Sequence, residues 1–199
     1  MRRLLAARHG ESEYSLKQLV NGDPGVACPL TPDGREQARA LGEALAGREI
    51  DLCAITEFQR VRETAELALA GREVPYVVVP ELNDPRYGEF EGGSLAAYRE
   101  WVWEKGPLEA PAGGEHRGEI ALRYARGYRT LLERPEATIL LVAHSLPLAY
   151  VRDAADGRPP RSRTDLVAYA ELIELDRDAL ARAVDVLEAW AAAPAFQAD

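Results

Sequence analysis

The stretch RLLAARHGES, residues 3–12, joins a short apolar run to a cluster of charged and polar side chains. Its apolar part predicts a β-strand over Arg3–Arg8 that ends just before His9. The stretch ATILLVAHS, residues 137–145, repeats this arrangement with a second strand and a second histidine. The continuous apolarity of that second strand is typical of strands buried on both faces, as in a parallel sheet.

Predicted strands and helices alternate along the chain. The strands cover Arg3–Arg8, Asp51–Thr56, Tyr76–Leu82, Ala137–Ala143 and Tyr169–Leu175. The helices cover about 31–47, 59–70, 115–133 and 177–192, with Thr31 as the N-cap of the first. The run Val77–Val79 predicts that the third strand is also buried on both faces. This alternation predicts an α/β fold, a three-layer α/β/α sandwich with a mostly parallel central sheet.

Length and composition limit the classes of protein. The chain has 199 residues, so we expect a single domain over 1–199. Its net charge of −9 argues against a general binder of nucleic acid or anionic membranes. No stretch approaches the roughly 18 apolar residues that a transmembrane helix needs. Cys28 and Cys53 form no disulfide framework, which predicts a reducing, cytoplasmic location.

Reactive side chains follow the predicted strands at their carboxyl ends. Because ligand sites in parallel sheets form beyond those ends, we expect these residues to meet at one edge of the sheet. A neutral imidazole can attack phosphorus, and arginines can hold phosphoryl oxygens with a planar fork. A nearby carboxylic acid can protonate the leaving group. The residues that supply these parts of a metal-free phosphoryl transfer are Arg8, His9, Arg60, Asp84 and His144.

The spacing of the cysteines, glycines and histidines does not match the motifs of other phosphatases or of zinc sites. A cysteine phosphatase needs Cys-x₅-Arg, but six residues separate Cys53 from Arg60. The chain has no GxxxxGK[ST] loop and no GxSxG elbow. Its three histidines show no HxH or HxxxH spacing, so we expect no zinc site and no cofactor.

Several motifs together resemble the histidine phosphatase superfamily, in its phosphoglycerate mutase-like branch. Residues 8–12 resemble the family's RHGE[ST] signature, and residues 29–38 resemble its PLTxxGxxQA. Further matches follow in order at residues 60–65, 82–92 and 142–144. The resemblance covers about residues 3–150 and implies the α/β/α sandwich already predicted.

The resemblance also implies roles for individual residues. His9 would be the phosphorylated nucleophile, and Asp84 the proton donor, although the family usually has Glu there. Arg8, Arg60 and His144 would line the phosphate pocket. The candidate substrate-binding residues are Ser15, Asn21, Gly22 and Ser145, the last standing where the family often has Gly.

The sequence therefore predicts a metal-independent phosphomonoester hydrolase that acts through a phosphohistidine on a small phosphorylated metabolite. Two alternatives stay open: a phosphoglycerate mutase-type phosphoryl transfer, and a non-catalytic sensor or scaffold that binds a phosphometabolite. Residues 94–117 are expected to form a lid over the leaving group. A homodimer is an open possibility.

Overall fold

The computed structural model describes residues 1–196. Its strands are β1 (Arg3–Arg8), β2 (Leu52–Ile55), β3 (Tyr76–Val78), β4 (Thr138–Ala143) and β5 (Leu172–Asp176). Its α-helices are α1 (Glu13–Leu16), α2 (Pro32–Ala44), α3 (Gln59–Ala68), α4 (Leu95–Trp103), α5 (Arg117–Leu132), α6 (Ser145–Ala155) and α7 (Arg177–Ala192). Short 3₁₀ turns occupy Pro80–Leu82 and Gly88–Phe90.

The strands form one sheet in the order β3-β2-β4-β1-β5. Every neighbouring pair is parallel except β1 and β5, which are antiparallel. The central pair β1 and β4 runs in register from Arg3 opposite Thr138 to Arg8 opposite Ala143. This register brings the two chain segments out of the sheet side by side, and each segment continues into a histidine.

Helices cover both faces of the sheet, which confirms the predicted three-layer α/β/α sandwich. Side chains alternate along β1: Leu5 and Ala7 pack with residues of α2 and α3. Leu4 and Ala6 lie in the other core, which is formed with residues of α5, α6 and α7. The strands of the central pair are therefore buried on both faces, as their continuous apolarity predicts.

Two predicted strands differ from the structure. The third ends at Val78, because Pro80 begins a 3₁₀ turn and cannot donate to a sheet ladder. The prediction that it is buried on both faces was wrong, since it is an edge strand with Tyr76 43 % and Val78 41 % exposed. The last strand begins at Leu172 rather than Tyr169, because Ala170 has a positive φ of 55° that breaks the extended backbone.

Three helices were not predicted: α1, α4 and α6. The short α1 follows the segment after β1, α4 lies inside the predicted lid segment 94–117, and α6 follows directly after His144. The predicted N-cap at Thr31 is confirmed, with its hydroxyl accepting a hydrogen bond from the Gly34 amide at 3.0 Å. Among residues 1–196, none of the helices is both long and apolar enough to cross a membrane.

Two motif glycines allow the segment after β1 to lie against the start of α2. A Cβ atom on Gly10 would lie 2.3 Å from the Gly34 carbonyl oxygen. A Cβ atom on Gly34 would lie 2.0 Å from the Glu11 carbonyl oxygen. Both distances are far below van der Waals contact, so only glycine fits at either position. This close approach fixes the backbone that follows His9.

Candidate active site

The carboxyl ends of the strands bring the predicted reactive residues together. Polar atoms of His9, Asp84 and His144 all lie within 4.8 Å of one another. His9 follows β1, His144 follows β4, and Asp84 follows the turn after β3. Both histidines are buried, at 3 % and 0 % exposure. These three residues therefore line a buried pocket at one edge of the sheet.

The ring of His9 is oriented by its own backbone. Its Nδ1 lies 2.7 Å from the Gly10 carbonyl oxygen, which can only accept, so Nδ1 carries the proton. The lone pair is therefore on Nε2, and the Arg60 Nε–H donates to it at 3.2 Å. A phosphorus atom that takes the place of this hydrogen bond would meet the nucleophilic nitrogen of the imidazole.

Arg60, near the start of α3, lies at the centre of the pocket. Its guanidinium donates to the side-chain oxygen of Asn21, and to the Asn21 carbonyl oxygen at 3.1 Å. It also donates to Asp84 Oδ2 at 2.8 Å. The Phe58 ring packs against the guanidinium with a separation of 4.2 Å. This buried arginine is therefore held in one orientation, with its planar fork facing the histidines.

Asp84 and His144 form a hydrogen-bonded pair. The Nδ1–H of His144 donates to Asp84 Oδ2 at 3.1 Å, and the Thr56 hydroxyl donates to its Nε2 at 2.9 Å. Burial alone would raise the pKa of the Asp84 carboxyl, but His144 and Arg60 outweigh it and hold that pKa well below its usual range. In the empty pocket, Asp84 is therefore a carboxylate.

Both histidines are neutral at pH 7. Burial lowers the pKa of His9 well below 6.5, and the positive charges of Arg60 and Arg8 lower it further. Burial also lowers the pKa of His144, although Asp84 opposes this shift. A neutral His9 keeps its lone pair available for attack on an electrophile.

These shifts predict that acid destabilises the fold. Below pH 6.5 the imidazoles of the unfolded chain become protonated while the buried rings stay neutral. The unfolded state therefore binds more protons than the folded state. We expect the free energy of unfolding to fall by about 1–3 kcal/mol between pH 7.5 and 5.5. Urea denaturation of the protein and of His9→Asn at both pH values measures the contribution of His9. His116→Asn, at the start of α5, is the control; an equal fall in all three proteins would contradict the prediction.

Arg8 has a full charge without a carboxylate partner among residues 1–196. It donates to the Val167 carbonyl oxygen at 2.8 Å and stacks on the Tyr169 ring at 3.9 Å. Its Nε is buried without a hydrogen-bond partner. Because a partly buried charge without a counter-charge is costly, this guanidinium favours an anion in the pocket.

The four candidate substrate-binding residues lie in different environments. Asn21 contacts Arg60 directly, and Ser15 lines the same cavity. Ser145 also lines it; its hydroxyl accepts from the Val167 amide at 3.0 Å, which leaves its own hydrogen free to donate. The Gly22 amide instead donates to Glu91 at 2.9 Å, and Gly22 lies outside this cavity. The structure thus brings three of the four to the cavity.

The cavity above the histidines has a volume of about 530 Å³. One wall is α4, which contributes Tyr98, Val102 and Trp103. Tyr98 and Val102 pack with Val20 in a small apolar cluster of their own, which holds α4 against the rest of the protein. This wall is therefore mostly apolar, and Arg99 is the charged residue that α4 contributes to it.

Comparison with known proteins agrees with this geometry. A family model described as histidine phosphatase superfamily, branch 1, matches residues 4–192. The chain belongs to the histidine phosphatase superfamily. The family predicted from the motifs of residues 3–150 is therefore confirmed, and the match extends through α7.

Relatives within the superfamily include phosphatases and mutases. The chain is 38 % identical to the adenosylcobalamin/alpha-ribazole phosphatase of Escherichia coli, over 45 % of this chain and 43 % of that protein. It therefore matches less than half the length of that enzyme. It is 30 % identical to the 2,3-bisphosphoglycerate-dependent phosphoglycerate mutase of Bartonella henselae, over 78 % of this chain and 82 % of that protein. The alpha-ribazole phosphatase of Shigella flexneri superposes with a TM-score of 0.75 at 27 % identity, covering 87 % and 90 % of the two chains.

Several residues of this histidine phosphatase pocket were not assigned to it from the sequence. Tyr169 was placed in a strand, but it lies in the preceding loop beside Arg8 and His9. Thr56 was predicted only as the last residue of the second strand, yet its hydroxyl orients His144. Arg117 had no assigned role, and it is buried in the cavity wall. Tertiary packing places Tyr169 and Arg117 in the pocket, and no local sequence signal marks them.

Three groups in the pocket have the atoms to bind a metal ion: His9, Asp84 and His144. Arg60, however, donates hydrogen bonds to both His9 Nε2 and Asp84, so two of the three sets of lone pairs are already engaged. The guanidinium charges of Arg60 and Arg8 would also repel a cation. The residues present therefore fit an anion better than a metal ion.

Proposed function

We propose that this protein is a metal-independent phosphomonoester hydrolase in which His9 becomes transiently phosphorylated. The observation that carries this proposal is the orientation of His9: Nδ1 is bound to the Gly10 carbonyl, which leaves the Nε2 lone pair in the pocket beside Arg60. The substrate is a small phosphorylated metabolite, consistent with a cavity of about 530 Å³. Arg8, Arg60 and His144 bind the oxygens of the phosphoryl group.

The reaction has two steps. His9 Nε2 attacks phosphorus, the N–P bond forms, and the P–O bond to the leaving group breaks. The leaving alkoxide takes a proton from Asp84. Water then attacks the phosphohistidine, Asp84 accepts a proton from that water, and the N–P bond breaks to release inorganic phosphate and neutral His9.

Substrate binding allows Asp84 to take up a proton from solvent before the leaving group departs. In the empty pocket the hydrogen bonds from His144 and Arg60 keep Asp84 ionised. Phosphoryl oxygens compete for those donors, and their negative charge disfavours a second anion nearby. Both effects raise the pKa of Asp84 when the substrate is bound, so the carboxyl holds a proton when the leaving group departs.

Rapid quenching of the protein with a ³²P-labelled ester, in the presence of a chelator, tests the proposal. We expect a phosphoenzyme that is labile in acid and stable in alkali, as phosphohistidine is, with the label on the peptide that contains His9. Release of labelled phosphate should follow at the rate of turnover. Label on another residue, or activity that the chelator removes, would overturn the proposal.

Asp84→Asn separates proton donation from the other steps. We expect kcat/KM for an alkyl phosphate to fall by about 10²- to 10⁴-fold, because the alkoxide then leaves unprotonated. For p-nitrophenyl phosphate the fall should be much smaller, since nitrophenolate is a good leaving group. Asp185→Asn on α7, outside the cavity, is the control. Equal losses for both esters would show that Asp84 does not act as the proton donor.

Phosphoglycerate mutase-type transfer is the second candidate, favoured by the long match to the Bartonella henselae mutase. In that case the phosphoryl group on His9 passes to a second phosphoglycerate molecule rather than to water. Incubating the labelled phosphoenzyme with unlabelled 3-phosphoglycerate distinguishes the two. A hydrolase releases the label as inorganic phosphate, whereas a mutase retains it in bisphosphoglycerate.

A further inference from the structure

The buried guanidinium of Arg117 is not used by the reaction proposed above. Arg117 is the first residue of α5, is only 6 % exposed, and lines the same cavity as His9. It donates to the Tyr150 hydroxyl at 2.9 Å and more weakly to the Ser162 carbonyl oxygen at 3.5 Å. Its Nε has no hydrogen-bond partner in the described chain.

No carboxylate neutralises this charge within residues 1–196. The two nearest acids along the chain bind other donors: Glu115 accepts two hydrogen bonds of 2.9 Å each from Arg123, and Glu119 accepts one of 3.2 Å from the His116 amide. Two neutral oxygens compensate poorly for the desolvation of a full charge, which makes a purely structural role for Arg117 expensive. Tyrosine, leucine or methionine would fill the same space without that cost.

The charged residues that line the whole cavity also favour a second anion. Its charged lining residues are Arg8, Arg60, Arg99, Arg117, Asp84 and Asp165. Asp84 is paired with Arg60, and Asp165 with Arg161 at 3.0 Å. The remaining arginines form a local positive surplus in a chain of net charge −9. One phosphoryl group accounts for Arg8 and Arg60 and leaves Arg117 and Arg99 without an anion.

We propose that Arg117 forms a second anion subsite, so that the substrate carries a carboxylate in addition to the phosphoryl group that is transferred. The proposal rests on the phosphomonoesterase function and narrows its substrate class. Arg117 is the specific donor, because burial holds its fork in place. Arg99, half-buried on α4, adds charge to the same wall. An ester with an uncharged remainder lacks the group that these arginines favour.

Matched pairs of substrates test the subsite. Each pair consists of a phosphorylated ω-hydroxy acid and the monophosphate of the corresponding diol, in a series of chain lengths, so that the members differ only in the second charge. We expect the acid of at least one length to have a kcat/KM about 10- to 100-fold above that of its partner, as for a hydrogen bond to a charged group. The ratio within each pair is the readout.

Substitution of Arg117 should remove this preference. In Arg117→Gln the ratio should fall to near one, and in Arg117→Lys part of it should return. Arg126→Gln, an exposed arginine on the same helix, is the matched control and should keep the full ratio. Because the ratio is taken within one protein, a general loss of stability cancels. No preference at any length in the parent protein, or an undiminished ratio in Arg117→Gln, would overturn the proposal.

Calorimetric binding of the same pairs to His9→Ala provides a readout without turnover. There the dissociation constants should show the same preference for the acid and the same dependence on Arg117. A preference in binding without hydrolysis of any ester would retain the subsite and reject the hydrolase. Hydrolysis without a preference in either measurement would retain the hydrolase and reject the subsite.

Discussion

His9→Ala is expected to lower kcat/KM for phosphomonoesters by about 10⁴-fold or more, the scale of loss when a nucleophile is removed from a covalent mechanism. The substitution removes the only atom that the mechanism allows to attack phosphorus, Nε2 of the imidazole. It leaves the cavity and its arginines in place. Phosphate release should therefore be lost while binding of inorganic phosphate is largely kept.

Three measurements make this result specific. The melting temperature and circular dichroism of His9→Ala should show a folded protein. His116→Asn removes another histidine, one that caps α5 through its ring, and asparagine can replace that cap. This control should retain activity within a few-fold. Substantial turnover in His9→Ala, with the chelator present, would reject the phosphohistidine route altogether.

Arg60→Ala is expected to produce the second largest loss, about 10²- to 10³-fold in kcat/KM, as for removal of a buried donor to transition-state charge. The loss has two sources. The phosphoryl oxygens lose a planar donor, and His9 loses the neighbour that helps to keep it neutral. Arg60→Lys should recover little, because a lysine ammonium cannot reproduce the fork that contacts Asn21 and Asp84 together.

The pH dependence of Arg60→Ala distinguishes an electrostatic role from a loss of folding. Without the guanidinium, the pKa of Asp84 should rise and that of His9 should rise with it, so the pH profile of the residual activity should shift upward. Arg62→Ala, an exposed arginine two positions along the same helix, is the matched control and should keep both rate and profile. A reduced rate with an unshifted profile would contradict this account of the pocket.

The sequence predicted the parts of the pocket that depend on regular structure. His9 and His144 each follow a continuous apolar run, and parallel strands place such residues at the same edge of the sheet. The register of β1 and β4 confirms that these two strands are neighbours and that their carboxyl ends coincide. The predicted edge of the sheet was less accurate at β3, because three valines look alike in a central strand and in an edge strand whose outer face meets solvent.

Residues contributed by loops could not be predicted in the same way. Tyr169 reaches Arg8 because the chain turns at Ala170, whose positive φ has no signal in an alanine side chain. The Gly22 amide is taken by Glu91, a residue 69 positions away, through packing that no local pattern encodes. Arg117 resembles any other arginine at the start of a helix until tertiary structure buries it.

The assembly of the pocket from distant chain segments has a consequence for folding kinetics. Arg60 and His144 are 84 positions apart, and His144 follows the β-strand that pairs with β1. Contacts of such high sequence separation form late, because loop closure must precede them. During synthesis, a chain that has emerged only as far as α5 has His9 and Arg60 but no β4 to complete the sheet. Recovery of phosphate binding in a refolding experiment therefore reports the pairing of β1 with β4 rather than the earlier collapse of the helices.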